Sequence, residues 1–176
     1  METHWIVLFV CVIPFWFLQN VIHELSHGLA MYLGWKWKFK IWPFPSNRLG
    51  RFTFAHVKYE RTNESKDLSD LGRGFVSIAP QLVNCVLITL TLVALLCWVS
   101  SAIVWSAILV LFMWTNFIDL SANLSTLLRS SGNTDIWKFK RYQNIPLNLL
   151  RYSCTGIVVW YAWLVIITTW VKLFTF

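Results

Sequence analysis

Charge is what this chain has least of. Only 13% of its 176 residues are Asp, Glu, Lys or Arg, against 57% hydrophobic residues and 12 Trp. Soluble domains carry about twice that share of charge, so the composition excludes a solvated globular protein and points to a membrane protein with several spans. Paired cysteines are missing as well: Cys11, Cys85, Cys97 and Cys154 all sit in apolar runs without CxxC spacing. They read as small core residues, which removes a disulfide framework and a thiolate metal site. The opening Met1-Glu2-Thr3-His4 lacks the positive n-region of a cleavable signal, and no small-residue cleavage site follows. The first apolar segment is therefore expected to be retained.

Four apolar segments stand out, at 5–33, 75–99, 102–124 and 154–174, each near the roughly 20 residues that a bilayer core requires. The fold expected is a single domain over 1–176, an all-α polytopic membrane protein with four transmembrane helices. The second and third are joined by a tight turn at Ser100 and Ser101. The net charge of +7 does not read as nucleic-acid binding, because of where it lies. Lys36, Lys38, Lys40, Arg48, Arg51, Lys58, Arg61, Lys66 and Arg73 fill the loop 34–74, and Arg129, Lys138, Lys140, Arg141 and Arg151 fill the loop 125–153, while the Ser100 turn has no charge. This asymmetry puts both loops in the cytoplasm and accounts for the basic charge by membrane orientation and anionic lipid.

The end of the first segment carries His23-Glu24-Leu25-Ser26-His27, an HExxH sequence. Two histidines four apart share one face of a helix, so both imidazoles can reach one metal ion with Glu24 beside it. HExxH also arises by chance on the wet face of soluble helices. No wet face is expected at the end of a run like Trp5 to Ile22, and an ionisable group at membrane depth costs at least about 2.5–3.5 kcal/mol, which favours a functional site.

Depth along the helices, at about 1.5 Å per residue, brings further polar residues to the same level. The second helix enters there with Ser77-Ile78-Ala79-Pro80-Gln81-Leu82-Val83-Asn84, in which Pro80 frees a backbone carbonyl and Gln81 and Asn84 supply amides. Taken alone, Pro80 and Asn84 read as a kink and an interhelical hydrogen bond. The third helix brings Asn116, Asp119 and Asn123. A catalytic zinc needs a third protein ligand besides the two histidines. Asp119 lies at the right depth, whereas Asp135 sits in a Gly-containing turn, Ser130 to Asp135, that could fold back to the site. Depth alone favours Asp119.

Taken together, these stretches resemble the site-2 protease family of intramembrane zinc metalloproteases, in its short form without a PDZ domain. The matching segments are His23 to Gly28, Ala79-Pro80-Gln81-Leu82-Val83-Asn84, and Asn123-Leu124 leading to Gly132-Asn133-Thr134-Asp135, over about 21–135 of the chain. The resemblance implies one Zn2+ held by His23, His27 and Asp135, with Glu24 as the catalytic base and Asn123 and Asn84 toward substrate. It implies an integral protein of the bacterial inner membrane, with a membrane-protein substrate cut near the cytoplasmic face. The alternative is a non-proteolytic or inactive protein of the same fold that binds a membrane partner.

After the first helix, Trp35 to Trp42 alternates apolar residues with Lys at period two, 43–50 reads as a turn, and 51–60 is strand-like again. This predicts a small interfacial β-hairpin, either a membrane-anchoring ribbon or an edge that holds substrate as an added strand. The stretch 62–70 is expected to be a solvated connector. His4 and His56 fall away from the HExxH spacing, and the Trp-rich fourth helix reads as a packing face.

Overall fold

The computed structural model describes residues 2–44, 46–48, 51–53, 55–97, 103–128 and 134–174, with side chains in 10–44, 55–97, 105–128 and 134–172. The protein is mostly helical. α1 (Glu2–Trp35) is followed by four short strands, then by α2 (Asp70–Cys97), α3 (Ile103–Ser125), a 3-10 turn (Thr126–Leu128), α4 (Asp135–Gln143) and α5 (Leu147–Phe174). The turn expected at Ser100 lies outside the described residues.

Three stretches are long and apolar enough to cross a membrane: α2, Trp105–Leu128 and Leu147–Lys172. α1 carries the apolar run 5–22 of the sequence, of which the side chains are described from residue 10 on. Three of the four expected spans are thus matched by helices among the described residues. The fourth predicted segment also begins earlier than expected, at Leu147. The loop before it contains α4, a helix that the sequence reading did not anticipate.

α2, α3 and α5 bury one apolar core, in which Ile88, Leu95, Met113 and Val165 are fully enclosed. Sparse polar ties cross it, such as Trp114 Nε1 donating to Thr169 Oγ1 at 2.9 Å. A second cluster joins α1 to α2 through Ala30, Met31, Val76 and Ala79, with Trp35, Trp37 and Tyr59 packed on it.

α1 ends where Lys36 takes a left-handed backbone, φ 60°, with its N–H bonded to the Tyr32 carbonyl at 2.9 Å. Left-handed residues are a common way to stop a helix, and this one turns the chain back along α1. β1 (Lys38–Trp42) then pairs antiparallel with β4 (His56–Glu60), and β2 (Ser46–Arg48) with β3 (Arg51–Thr53). Three residues separate β1 from β2 but only two separate β3 from β4, so the register slips by one between the two halves. Pro43 stands at that break, with no N–H to give to a ladder.

The period-two pattern of β1 places Lys38 and Lys40 outside and turns Phe39 and Ile41 inward. Phe39 lies so close to Gly28 of α1 that a Cβ there would stand 2.4 Å from its ring. Phe39 and Ile41 of the face expected in the acyl boundary are thus partly covered, and among the described residues of the hairpin Trp42 and Phe44 are exposed. The connector after β4 is tied back as well: Lys66 N–H bonds the Trp35 carbonyl at 3.0 Å.

Candidate metal centre

His23 and His27 lie one turn apart on the face of α1 that meets α2, α3 and the start of α4, with ring centroids 5.2 Å apart. Their orientation is set from behind. His27 Nδ1 stands 2.7 Å from the backbone carbonyl of Val76. That carbonyl is free because the residue four positions on is Pro80, which has no N–H to return to it. A carbonyl can only accept, so Nδ1 carries a proton, and in the neutral ring Nε2 keeps its lone pair. His23 is held by the same logic, with Nδ1 2.9 Å from the Asp119 carboxylate.

Both Nε2 atoms then converge on one oxygen. Asp135 Oδ2 lies 3.0 Å from His23 Nε2 and 3.2 Å from His27 Nε2, and ligand atoms of the three residues lie within 4.8 Å of one another. The two Nε2 atoms therefore face one ionised carboxylate, an arrangement satisfied either by protons on the rings or by a shared cation. Ligands about 2.0–2.1 Å from a tetrahedral zinc stand about 3.3–3.4 Å apart, and the two His–Asp spacings lie within a few tenths of an ångström of that. The donor set, two imidazoles and one carboxylate with oriented outer partners, fits zinc.

Asp135 is not in a turn but is the first residue of α4, after Thr134 at the N-cap. Its two neighbours explain its position. Ile136 is fully buried and Trp137 nearly so, in the core with Leu120, Leu124 and Leu127. Trp137 Nε1 also donates to the Thr126 carbonyl at 3.0 Å, which pins the start of α4 to the end of α3. At the other end Gln143 donates to the Asp70 carbonyl at 2.9 Å, so α4 lies across the start of α2. Burial alone would raise the Asp135 carboxyl. Its contacts with His23 and His27, and the charges of His27 and Lys138, instead hold it well below the usual carboxylate range.

Asp119, the ligand favoured by depth, sits behind His23 rather than beside the other two ligand atoms. Its Oδ2 also accepts from Asn84 at 2.7 Å. Asn84 in turn accepts from Gln19 Nε2 at 2.7 Å, so both atoms of its amide are engaged within the protein. Asn84, expected to face substrate, thus braces Asp119 and, through it, His23. Gln19 was missed by the sequence reading, although its position one turn before His23 on the same face was the available signal. Asn123 stays half-buried on α3, with its amide 3.5 Å from the Asp119 carbonyl one turn back.

Glu24 lies beside the triad on α1, and its Oε2 accepts the backbone N–H of Val57 at 3.0 Å. That N–H points away from β1, so the free edge of β4 faces the site. Tyr59 follows on the same strand. Burial, with the charges of Glu24 and Asp135, raises its phenol above the ordinary value and keeps it neutral.

No protein-family model matches the chain, and neither a curated protein nor a solved structure matches it.

Proposed function

We propose that this chain is a zinc metalloendopeptidase of the site-2 protease type, which hydrolyses peptide bonds of membrane proteins within or just below the cytoplasmic face of a cell membrane. The observation that carries this reading is the convergence of two Nε2 atoms and one carboxylate oxygen, each imidazole fixed from behind by an acceptor. Structural sites for zinc use four protein ligands, whereas three leave one position open for chemistry. The HExxH spacing and the three apolar helices support the same reading.

In this mechanism His23, His27 and Asp135 hold the ion. Zinc bound there supplies a water acidified to a pKa of about 7 and a Lewis acid for the scissile carbonyl. Glu24 takes the proton of the attacking water and passes it to the leaving amine. Its Oε2 is steadied by Val57, and among the described residues its Oε1 accepts no hydrogen bond, which leaves that oxygen for proton transfer. Asp119, braced by Asn84 and Gln19, keeps His23 in the tautomer that presents Nε2. Asn123 is the residue that the resemblance assigns to substrate. The outward edge of β4 offers backbone groups to an extended peptide beside Glu24, the physics of strand addition. Loops 34–74 and 125–153 face the cytoplasm in this reading, by the placement of their Lys and Arg.

The test is direct. Purified protein is expected to hold about one zinc, lost in His23→Ala and His27→Ala. Glu24→Gln is expected to keep the zinc and stop cleavage of a co-expressed single-span membrane protein. A Glu24→Gln protein that cuts like wild type removes the peptidase mechanism, and a wild-type protein without zinc removes the metal centre.

A further inference from the structure

The Asp135 carboxylate divides its two oxygens between different partners. Oδ2 faces the imidazoles, 3.0 Å from His23 Nε2 and 3.2 Å from His27 Nε2. Oδ1 instead accepts from Lys138 Nζ at 3.0 Å. The division follows from how α4 is seated. Ile136 is fully buried and Trp137 nearly so, which fixes the rotation of α4 about its axis. Residues three apart share a helix face, so Lys138 emerges beside Asp135 at the rim of the site, its side chain 43% exposed against 12% for the aspartate. Of the three cations on α4, Lys138, Lys140 and Arg141, it is the one that meets the ligand carboxylate among the described residues.

An ammonium has no lone pair for a metal ion, so Lys138 can act on the centre only through Asp135. A carboxylate can hold a metal through one oxygen or through both. With two imidazoles and one carboxylate oxygen, zinc keeps a fourth position for water, and a second oxygen from the same carboxylate would crowd or fill it. The ammonium on Oδ1 opposes that second mode in two ways. It engages the lone pairs that the ion would need, and its positive charge repels a divalent cation that moves toward that oxygen. It also draws charge away from the oxygen that remains as ligand, which keeps the bound ion a stronger Lewis acid.

We propose that Lys138 is a positioning residue of the metal centre: by holding Oδ1 it makes Asp135 a one-oxygen ligand and keeps the fourth coordination position open. The inference deepens the peptidase reading and rests on its ligand set. A half-exposed ion pair three residues apart on a helix contributes little to stability. A role confined to the helix surface would therefore leave the coordination of the metal unchanged, whereas a positioning role changes the number of ligands.

The experiment titrates cobalt(II) chloride into the full-length protein, purified in detergent and stripped of metal, as wild type, Lys138→Met and Lys138→Arg. Cobalt with four tetrahedral ligands absorbs several-fold more strongly in the visible than cobalt with five or six, so the band per bound ion reports the ligand number. Wild type and Lys138→Arg are expected to give the strong band. Lys138→Met, which keeps the apolar stem and loses the charge, is expected to bind about one cobalt per chain with a band several-fold weaker, and Lys138→Leu, a second neutral variant, is expected to match it. Loaded with zinc, Lys138→Met is expected to keep its KM for a single-span substrate and lose about tenfold in kcat, the lower end of what partners of metal ligands contribute, because Lys138 is half exposed. A strong cobalt band in the neutral variants, or a band in Lys138→Arg as weak as theirs, overturns the assignment and leaves the peptidase reading intact. A band that weakens as expected, in a protein whose wild type never cleaves, supports the role of Lys138 and refutes the peptidase. A wild-type protein that takes up no cobalt and no zinc overturns both.

Discussion

Replacing Pro80 by Ala should make the protein more stable and its metal centre weaker. Pro in a helix interior is about 3 kcal/mol less favourable than Ala, through its missing N–H and its clash with the carbonyl four residues back. Here that carbonyl belongs to Val76 and accepts His27 Nδ1 at 2.7 Å. The substituted alanine would offer its own N–H to the Val76 oxygen, straighten the helix and draw the carbonyl toward the helix axis. His27 would lose the acceptor that fixes its tautomer. Outer partners of this kind contribute about 10–100-fold in metal affinity, or roughly 1.4–2.7 kcal/mol. The carbonyl has two lone pairs and can share them, so the lower end of that range is the expected figure. Competition against a chelator of known affinity reads the zinc side, and thermal unfolding of the chelated protein reads the stability side. The two effects have opposite signs, which general damage to the fold cannot imitate. Zinc affinity within twofold of wild type would refute the claim that Val76 orients His27.

Asp135→Ala should lose zinc outright at concentrations that saturate wild type, whereas Asp119→Ala should bind about 10–100-fold more weakly yet still reach one ion per chain; elemental analysis across a zinc titration separates the two, and the reverse order would make Asp119 the ligand. Ile136→Ala removes a fully buried side chain and should cost about 2–5 kcal/mol in denaturant unfolding. It should also weaken zinc binding, because the same residue seats Asp135. Gly28→Ala puts a methyl group against the Phe39 ring and should destabilise by about 1–3 kcal/mol. Amide exchange at Val57 should rise as β4 lifts from Glu24, and unchanged exchange would show that the hairpin does not need Gly28.

Much of the helical framework could be read from the residues because it depends on local rules. Apolar length marked α2, α3 and α5, and period-two alternation marked β1. Apolar length marked α1 as well, whose apolar run ends in the polar residues that build the site. α4 was hidden in a polar, basic loop, where its short amphipathic pattern of Ile136, Trp137 and Phe139 gave little signal above the surrounding charge.

By itself the sequence determined what one helix can determine. His23 and His27 share a face because the helix repeats every 3.6 residues, and Val76 has a free carbonyl because Pro80 has no N–H. Which carboxylate joins the histidines was decided only by tertiary packing. Counting depth along helices selects Asp119, but the burial of Ile136 and Trp137 carries Asp135 across a segment whose path no local rule fixes. Once it arrives, Asp119 is left to orient His23, and Asn84 to brace Asp119. These roles depend on distances between four separate elements, and such distances follow from how side chains fill a shared core.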